Sequence, residues 1–349
     1  MKTGTIPKKG LSPFQLAGVY VGTVVGAGLA SGQEILQFFG FHGRGGIWGI
    51  IFSTILFIVF GTIIFLLGHR LQAVSHREVV EECGGIWVGR GMDYVITFFL
   101  FGAFTAMAAG SGAVFQEQYG ISQIIGSLVM VIVSVVTVLL GIEGVLAAIG
   151  AVAPVLVGSV LAISMLVLLR TPVNWFWSQP QMAAVPFWPL SAVAYASYNL
   201  ALAVAVLAPA GTLAGEDALR KGAIYGGVGL GLGALAINLA ILTQVPQAAG
   251  VEIPMLQLAR NILGPLAPIY SIILLAEVYT TAAGSLYGFV VRFTDPNGPR
   301  FKQYVLLSGL AGFIGSLAGF SNLVAKLYTA VGYAGFILLL VLFWGYFKK

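Results

Sequence analysis

Along the 349 residues, long apolar runs alternate with short polar connections, a pattern too coarse for a soluble fold. Stretches free of Asp, Glu, Lys and Arg cover 10–33, 45–69, 94–116, 118–142, 144–169, 171–215, 222–251, 303–325 and 327–347; 261–291 is another, interrupted only by Glu277. A helix needs about 20 apolar residues to cross the hydrocarbon core of a bilayer, and each run is long enough. The run 171–215 exceeds one crossing. Its first part, Thr171 to Pro189, is rich in Trp, Pro and Gln and reads as an interfacial loop, which leaves Trp188 to Leu207 to cross. The pattern predicts an all-α integral membrane protein, one transmembrane domain over 1–349 with about ten crossings. Residues 73–92 and 247–263 are too long for simple turns and predict short amphipathic helices at the two surfaces.

Composition agrees with this. The chain is 58% hydrophobic and 8% charged, with a mean hydropathy of +0.97. Soluble domains carry about 25% charged residues, so lipid must replace water around most of this surface. The 17 basic residues set the orientation. With the N-terminus inside, thirteen fall on the cytosolic side, Lys2, Lys8, Lys9, Lys348 and Lys349 among them, against Arg44, Arg170 and Arg260 outside and Lys326 near the start of the last crossing. Both termini are therefore expected in the cytosol, on a multi-pass protein of the cell membrane. The pI near 9.3 does not indicate nucleic acid, because the basic residues form no continuous patch. A lone cysteine, Cys83, excludes an intrachain disulfide. The N-terminus lacks the short apolar core and cleavage site of a signal peptide.

The chemistry concentrates in the first run, where Gly22, Gly26, Gly28 and Gly32 stand midway across the membrane. Glycine costs about 1 kcal/mol relative to alanine inside a helix. Gly26 and Gly28, two apart, do not share a helical face, which favours a break over close packing. The glycines Gly222, Gly226, Gly229 and Gly233, by contrast, read as a packing face. Non-helical backbone survives at membrane depth only if buried or lining a cavity. There it offers N–H groups to anions and carbonyls to cations. Glu277, Thr280 and Thr281 share one helix face, and an ionisable residue in a span is a functional candidate by default. Small residues of the third crossing, Ser111 and Gly112 among them, leave room beside the break.

The V-G-A-G of residues 25–28, on a chain of about ten crossings, resembles the LeuT-fold transporters of the amino acid–polyamine–organocation superfamily. The longer string VGTVVGAGLASGQE, residues 21–34, is most similar to the YkvI-type membrane proteins within it. The resemblance implies a five-plus-five inverted repeat, 13–170 against 188–347, with the first and sixth crossings broken. It implies secondary active transport of an amino acid or related small amine, with the substrate carboxylate on the N–H groups of Gly26, Ala27 and Gly28. The second break would fall within Ala194–Asn199, where Tyr195, Ser197, Tyr198 and Asn199 replace glycine as its support, and Ser111 would face the same cavity. A coupling Na⁺ would sit between the carbonyls of Gly22 and Val25 and the hydroxyls of Thr280 and Thr281, with Glu277 adding charge or carrying a proton instead. Glu34 and Lys326 would form an outer-gate ion pair. No other cofactor is implied, and the oligomeric state is left open.

Other classes fare worse. His42, His69 and His76 share no metal-like spacing, which removes a metalloenzyme, and no phosphate-binding loop suggests ATP. A channel would show charged rings. A ligand-binding receptor or sensor on the same fold, of the kind used in spore germination, stays open as the alternative.

Overall fold

The structure, a computed structural model, describes residues 10–140 and 143–348, and these contain helices but no strands. Lys2, Lys8, Lys9 and Lys349, counted in the charge bias, lie outside the described residues. Helix α1, Pro13–Val24, starts on a capping box in which the Ser12 hydroxyl accepts from the Gln15 N–H (3.3 Å) and the Gln15 side chain accepts from the Ser12 N–H (2.9 Å). Pro13 adds a preset first turn. Two short helices follow, α2 over Ala27–Ser31 and α3 over Gln33–Phe38. Next come α4 (Arg44–Leu71), α5 (His76–Tyr119), α6 (Gln123–Leu140) and α7 (Glu143–Arg170). The second half holds α8 (Trp188–Ala210), α9 (Glu216–Thr243), α10 (Pro254–Leu263), α11 (Ala267–Val290) and α12 (Phe301–Ser316). Helix α13 (Phe320–Leu323) runs through a π-helical stretch, Val324–Tyr328, into α14 (Thr329–Phe347).

Among the described residues, seven helices are long and apolar enough to cross a membrane. The remaining expected crossings are segmented or short: the first is divided among α1, α2 and α3, and α12 has 16 residues. Burial is inverted relative to a soluble protein. Ser111, Ser197 and Asn238 are fully buried, whereas Leu140, Leu169 and Trp344 are largely exposed. So broad an apolar surface is stable only against lipid. The protein is a multi-pass membrane protein.

Helices are present in both of the long connections. The first lies in α5, where Gly85 (φ 78°) breaks the helix after His76–Gly84. The second is α10, which buries Met255, Leu256 and Leu258.

The sixth crossing is not broken. Helix α8 runs without interruption through Ala194–Asn199, and the Asn199 side-chain amide donates to the Tyr195 carbonyl of its own helix (3.0 Å). The physical reason is composition: Ala, Leu and Tyr supply no residue that gives up a helical bond, and alanine has the best helix propensity. Irregularity in the second half falls instead on the π stretch before α14, a feature frequent at functional sites.

The helices pack as two groups. Helices α1, α4, α8 and α9 pack on one another, and so do α5, α6, α11 and α12. Helix α14 bridges α8 to α5, and α7 bridges α9 to α11. Gly222 and Gly226 of α9 admit Leu16 and Tyr20 of α1, so the glycine face read from the sequence does pack closely there. Helix α2 reaches α11 while α3 reaches α8 and α9, which places the broken segment between the two groups.

One end of the bundle is tied by Glu252. Its carboxylate accepts from the Phe320 and Ser321 N–H groups at the start of α13 (2.7 and 3.2 Å), and its own N–H donates to the Glu117 carboxylate (2.7 Å). Arg260 donates to the Glu117 carbonyl (2.8 Å). Replacing a capping carboxylate by alanine costs about 0.5–2 kcal/mol. Glu252→Ala is expected to lower the apparent Tm in detergent by a few degrees, and Glu252→Gln, which keeps an acceptor oxygen, by less. Equal Tm values for all three proteins would remove the tie from the list of stabilising contacts.

Candidate functional site

The hydrogen-bond ladder of α1 ends with the Val25 N–H on the Val21 carbonyl (2.8 Å), and the next begins with the Ala30 N–H on the Gly26 carbonyl (3.0 Å). The N–H groups of Gly26, Ala27, Gly28 and Leu29 stand between the two ladders. Val25 (ψ 121°) and Gly26 (φ −142°, ψ −174°) are extended. The predicted break is present, two residues long, with Ala27 and Gly28 already in the first turn of α2. The Ser31 hydroxyl returns to the Gly28 carbonyl (2.7 Å), and Tyr270 of α11 donates to the Ala30 carbonyl (2.7 Å).

A second turn follows at Gly32, whose φ of 80° is left-handed and costs a residue with a Cβ dearly. This turn re-aims α3. Glu34, in its first turn, folds back over α2 so closely that a Cβ on Gly28 would collide with the carboxylate. The other carboxylate oxygen accepts from the Tyr198 hydroxyl of α8 (2.5 Å). Glu34 is 6% exposed and joins no ion pair among the described residues.

Rings surround the Tyr198 that holds this carboxylate. Tyr198 lies 5.1 Å from Tyr328, 5.6 Å from Tyr195, 5.7 Å from Phe38 and 6.3 Å from Phe99, centroid to centroid. The four elements contributing them are α3, α5, α8 and the π stretch, so the cluster spans both helix groups. Close contact between α8 and α14 is allowed by Gly332 and Gly335, where a Cβ would lie 2.7 and 2.6 Å from the Ala194 and Ser197 carbonyl oxygens.

The sequence-predicted residues divide. Gly26, Ala27 and Gly28 stand at the break, Glu34 lies against Gly28, Tyr198 reaches Glu34, and Tyr195 packs beside Tyr198. Ser197 is buried on α8 with an unpartnered hydroxyl. Asn199 is used by its own helix. Ser111 turns the other way: its hydroxyl donates to the Gly126 carbonyl of α6 (3.1 Å), because the small residues of α5 serve to seat α6 closely. The Glu34–Lys326 ion pair is not formed. Glu34 points inward to Tyr198, while Lys326 is exposed on the π stretch. Helix geometry explains this, since the left-handed turn at Gly32 rotates Glu34 away from the surface. Glu277 is 4% exposed with one carboxylate oxygen unpartnered, and the Thr280 hydroxyl donates to the Glu277 carbonyl (3.0 Å), leaving its lone pairs free. Thr281 is half-buried beside them. Helix α11 meets the broken segment through α2, whereas α1, which ends in the Gly22 and Val25 carbonyls, packs mainly on α9 and α8.

Sequence reading passed over Tyr328, Phe99 and Phe38. It also missed Gln33 and Gln37 of α3 and Asn238 of α9, buried side chains that carry unpartnered polar atoms. Their i, i+4 spacing on one helix was the available signal for the two glutamines.

No family model matches the chain. The uncharacterized membrane protein YkvI of Bacillus subtilis (strain 168) is 33% identical over 329 residues, which cover 92% of each chain. The chain belongs to the YkvI family of membrane proteins. The uncharacterized protein YyaD of the same organism is 28% identical over 324 residues, covering 92% of this chain and 93% of that one. Among solved structures, a Na⁺-coupled sialic acid symporter in a substrate-bound outward-open state matches this YkvI-family chain with a TM-score of 0.60 at 14% identity, over 97% of this chain and 79% of the other. A manganese transporter of Eremococcus coleocola matches with a TM-score of 0.61 at 13% identity, over 93% and 76%. Mhp1, a nucleobase-cation-symport-1 family transporter, matches in its inward-facing conformation with a TM-score of 0.58 at 14% identity, over 95% and 80%. At such identities the likeness shows the fold, and the fold is that of LeuT.

Proposed function

We propose that this YkvI-family protein is a secondary active transporter carrying an amino acid or related small amine or zwitterion by alternating access, coupled to Na⁺ or H⁺. The observation that carries the reading is the two-residue break at Val25–Gly26, lying between two helix groups beside a buried carboxylate. Unpaired backbone at that depth is costly unless something uses it. Movement of α1, α4, α8 and α9 against α5, α6, α11 and α12 would open the break to one side and then the other. Each half of the chain, 13–170 and 188–347, gives two helices to each group, which supports a repeat of the two halves; the basic-residue bias favours ten crossings with both termini in the cytosol. The structural neighbours named as transporters favour the same reading.

A coupling cation would be held by the Gly22 and Val25 carbonyls together with the bare Glu277 oxygen and the lone pairs of Thr280 and Thr281. These are hard oxygen donors of the kind alkali cations take. The test is uptake of labelled amino acids and amines into proteoliposomes under a Na⁺ or a pH gradient. Uptake driven by one gradient is expected. Saturable binding without uptake would replace the transporter with a receptor on the same fold. Glu277→Gln is expected to lower gradient-driven uptake by about tenfold or more, because it removes a charge from a desolvated site, while leaving substrate binding within about twofold. Unchanged uptake in that variant would remove Glu277 from coupling.

A further inference from the structure

The place beside Gly28, where the reading above puts a substrate carboxylate, is already filled by a carboxylate. Glu34 occupies the volume that a side chain at Gly28 would take. A substrate anion brought to the N–H groups of Ala27 and Gly28 would approach a second acidic group in a medium that screens poorly. No lysine, arginine or histidine among the described residues pairs with Glu34. A carboxyl buried without a counter-charge is costly to ionise, and a cationic ligand supplies the missing partner.

We propose that the site selects a small organic cation that carries no carboxylate of its own, held by Glu34 within the cage of Tyr198, Tyr195, Tyr328, Phe99 and Phe38 rings. The proposal rests on the transporter reading of the same site and narrows its substrate. Aromatic faces attract ammonium and guanidinium groups, more so when water is excluded. In the structure the Tyr198 hydroxyl occupies one Glu34 oxygen, and an incoming N–H donor takes its place there. Divalent metal fits poorly. Mg²⁺, Ca²⁺ and Mn²⁺ need about six oxygen ligands, but no group of three His, Cys, Asp or Glu residues among the described residues could hold one, and the hydrogen-bond partner of Glu34 is a tyrosine hydroxyl within a ring cluster.

The test uses pairs of compounds that differ by one carboxylate, isobutylamine with valine and methylguanidine with guanidinoacetate, on the full-length protein in detergent and in proteoliposomes. Isobutylamine and methylguanidine are expected to raise the apparent Tm and to bind at least about tenfold more tightly than their carboxylated partners. Glu34→Gln is expected to lose that affinity by about tenfold or more, and Tyr198→Phe, which keeps the ring and removes the competing hydroxyl, to keep it. Carboxylated partners binding as well, neither class binding, or unchanged amine affinity in a Glu34→Gln protein of unaltered ligand-free Tm would each overturn the proposal. The compound series on the unmodified protein decides the matter even if a variant does not fold. Valine uptake that needs Glu34, without amine binding, would make Glu34 a proton carrier instead. Methylguanidinium binding without uptake overturns transport and leaves the cation site standing; valine uptake without amine binding does the reverse.

Discussion

Adding one methyl group at Gly28 is expected to abolish ligand binding and transport while leaving a folded protein. In the structure the Glu34 carboxylate fills the space where that methyl would sit, and the obstacle is the end of a flexible side chain rather than backbone. Helix α2 can therefore keep its course in Gly28→Ala, but Glu34 must swing off the Tyr198 hydroxyl. Two consequences follow from the same displacement. The carboxylate leaves the ring cluster, and it gives up its hydrogen bond from Tyr198. Misplacing a binding group by about 1 Å costs roughly 100-fold, and a loss of that order in affinity and uptake is expected. The overpacking itself costs about 1–3 kcal/mol, so the apparent Tm falls only modestly. Gly158→Ala, on an exposed face of α7 with open space around it, is the control and should leave both readouts unchanged. A Gly28→Ala protein that binds and transports normally would mean that Glu34 reaches its working position by another route.

That prediction draws on a residue whose role the sequence conveyed only in part. The apolar runs made the membrane class legible, since no soluble fold tolerates so little charge. The break was legible too, because Gly26 and Gly28 cannot share a packing face. What lay beyond the sequence was the left-handed turn at Gly32, a backbone angle that one glycine permits but does not dictate. Without it Glu34 points toward a surface and looks like half of a gate with Lys326. With it, the same carboxylate turns into the centre and meets Tyr198. The sixth crossing was misread for the opposite reason. Its expected break came from a resemblance, while the residues themselves, Ala194 to Asn199, contain nothing that ends a helix. Tyr328 and Phe99 were invisible as site residues because aromatic side chains fill any core. Only the packing of the π stretch and α5 on α8 distinguishes them.

A glycine 40 residues further along should behave in the reverse manner. Gly68→Val is expected to destabilise the protein severely while leaving the affinity of whatever folds unchanged. Near its end, α4 crosses α8 backbone to backbone: a Cβ on Gly68 would overlap the Ala208 carbonyl, and one on Gly211 would overlap the Phe65 carbonyl. His69 bonds the Gly211 carbonyl across the same crossing through Nδ1 (3.1 Å), and the Gly68 carbonyl accepts from Ala73 as the chain leaves the helix (2.9 Å). Here the obstacle is main chain, which cannot rotate aside, so the two helices must separate. The expected cost is roughly 3 kcal/mol or more, at the upper end for overpacked cores. It should read out as a large drop in apparent Tm and in folded yield. Tyr195 and Tyr198 stand ten or more residues before Ala208 on α8, about 15 Å along the helix, so ligand affinity per folded molecule should stay within about twofold at that separation. A Gly68→Val protein of ordinary stability would show that α4 and α8 can part without cost. The rigid group assumed for alternating access would then not be rigid at this crossing.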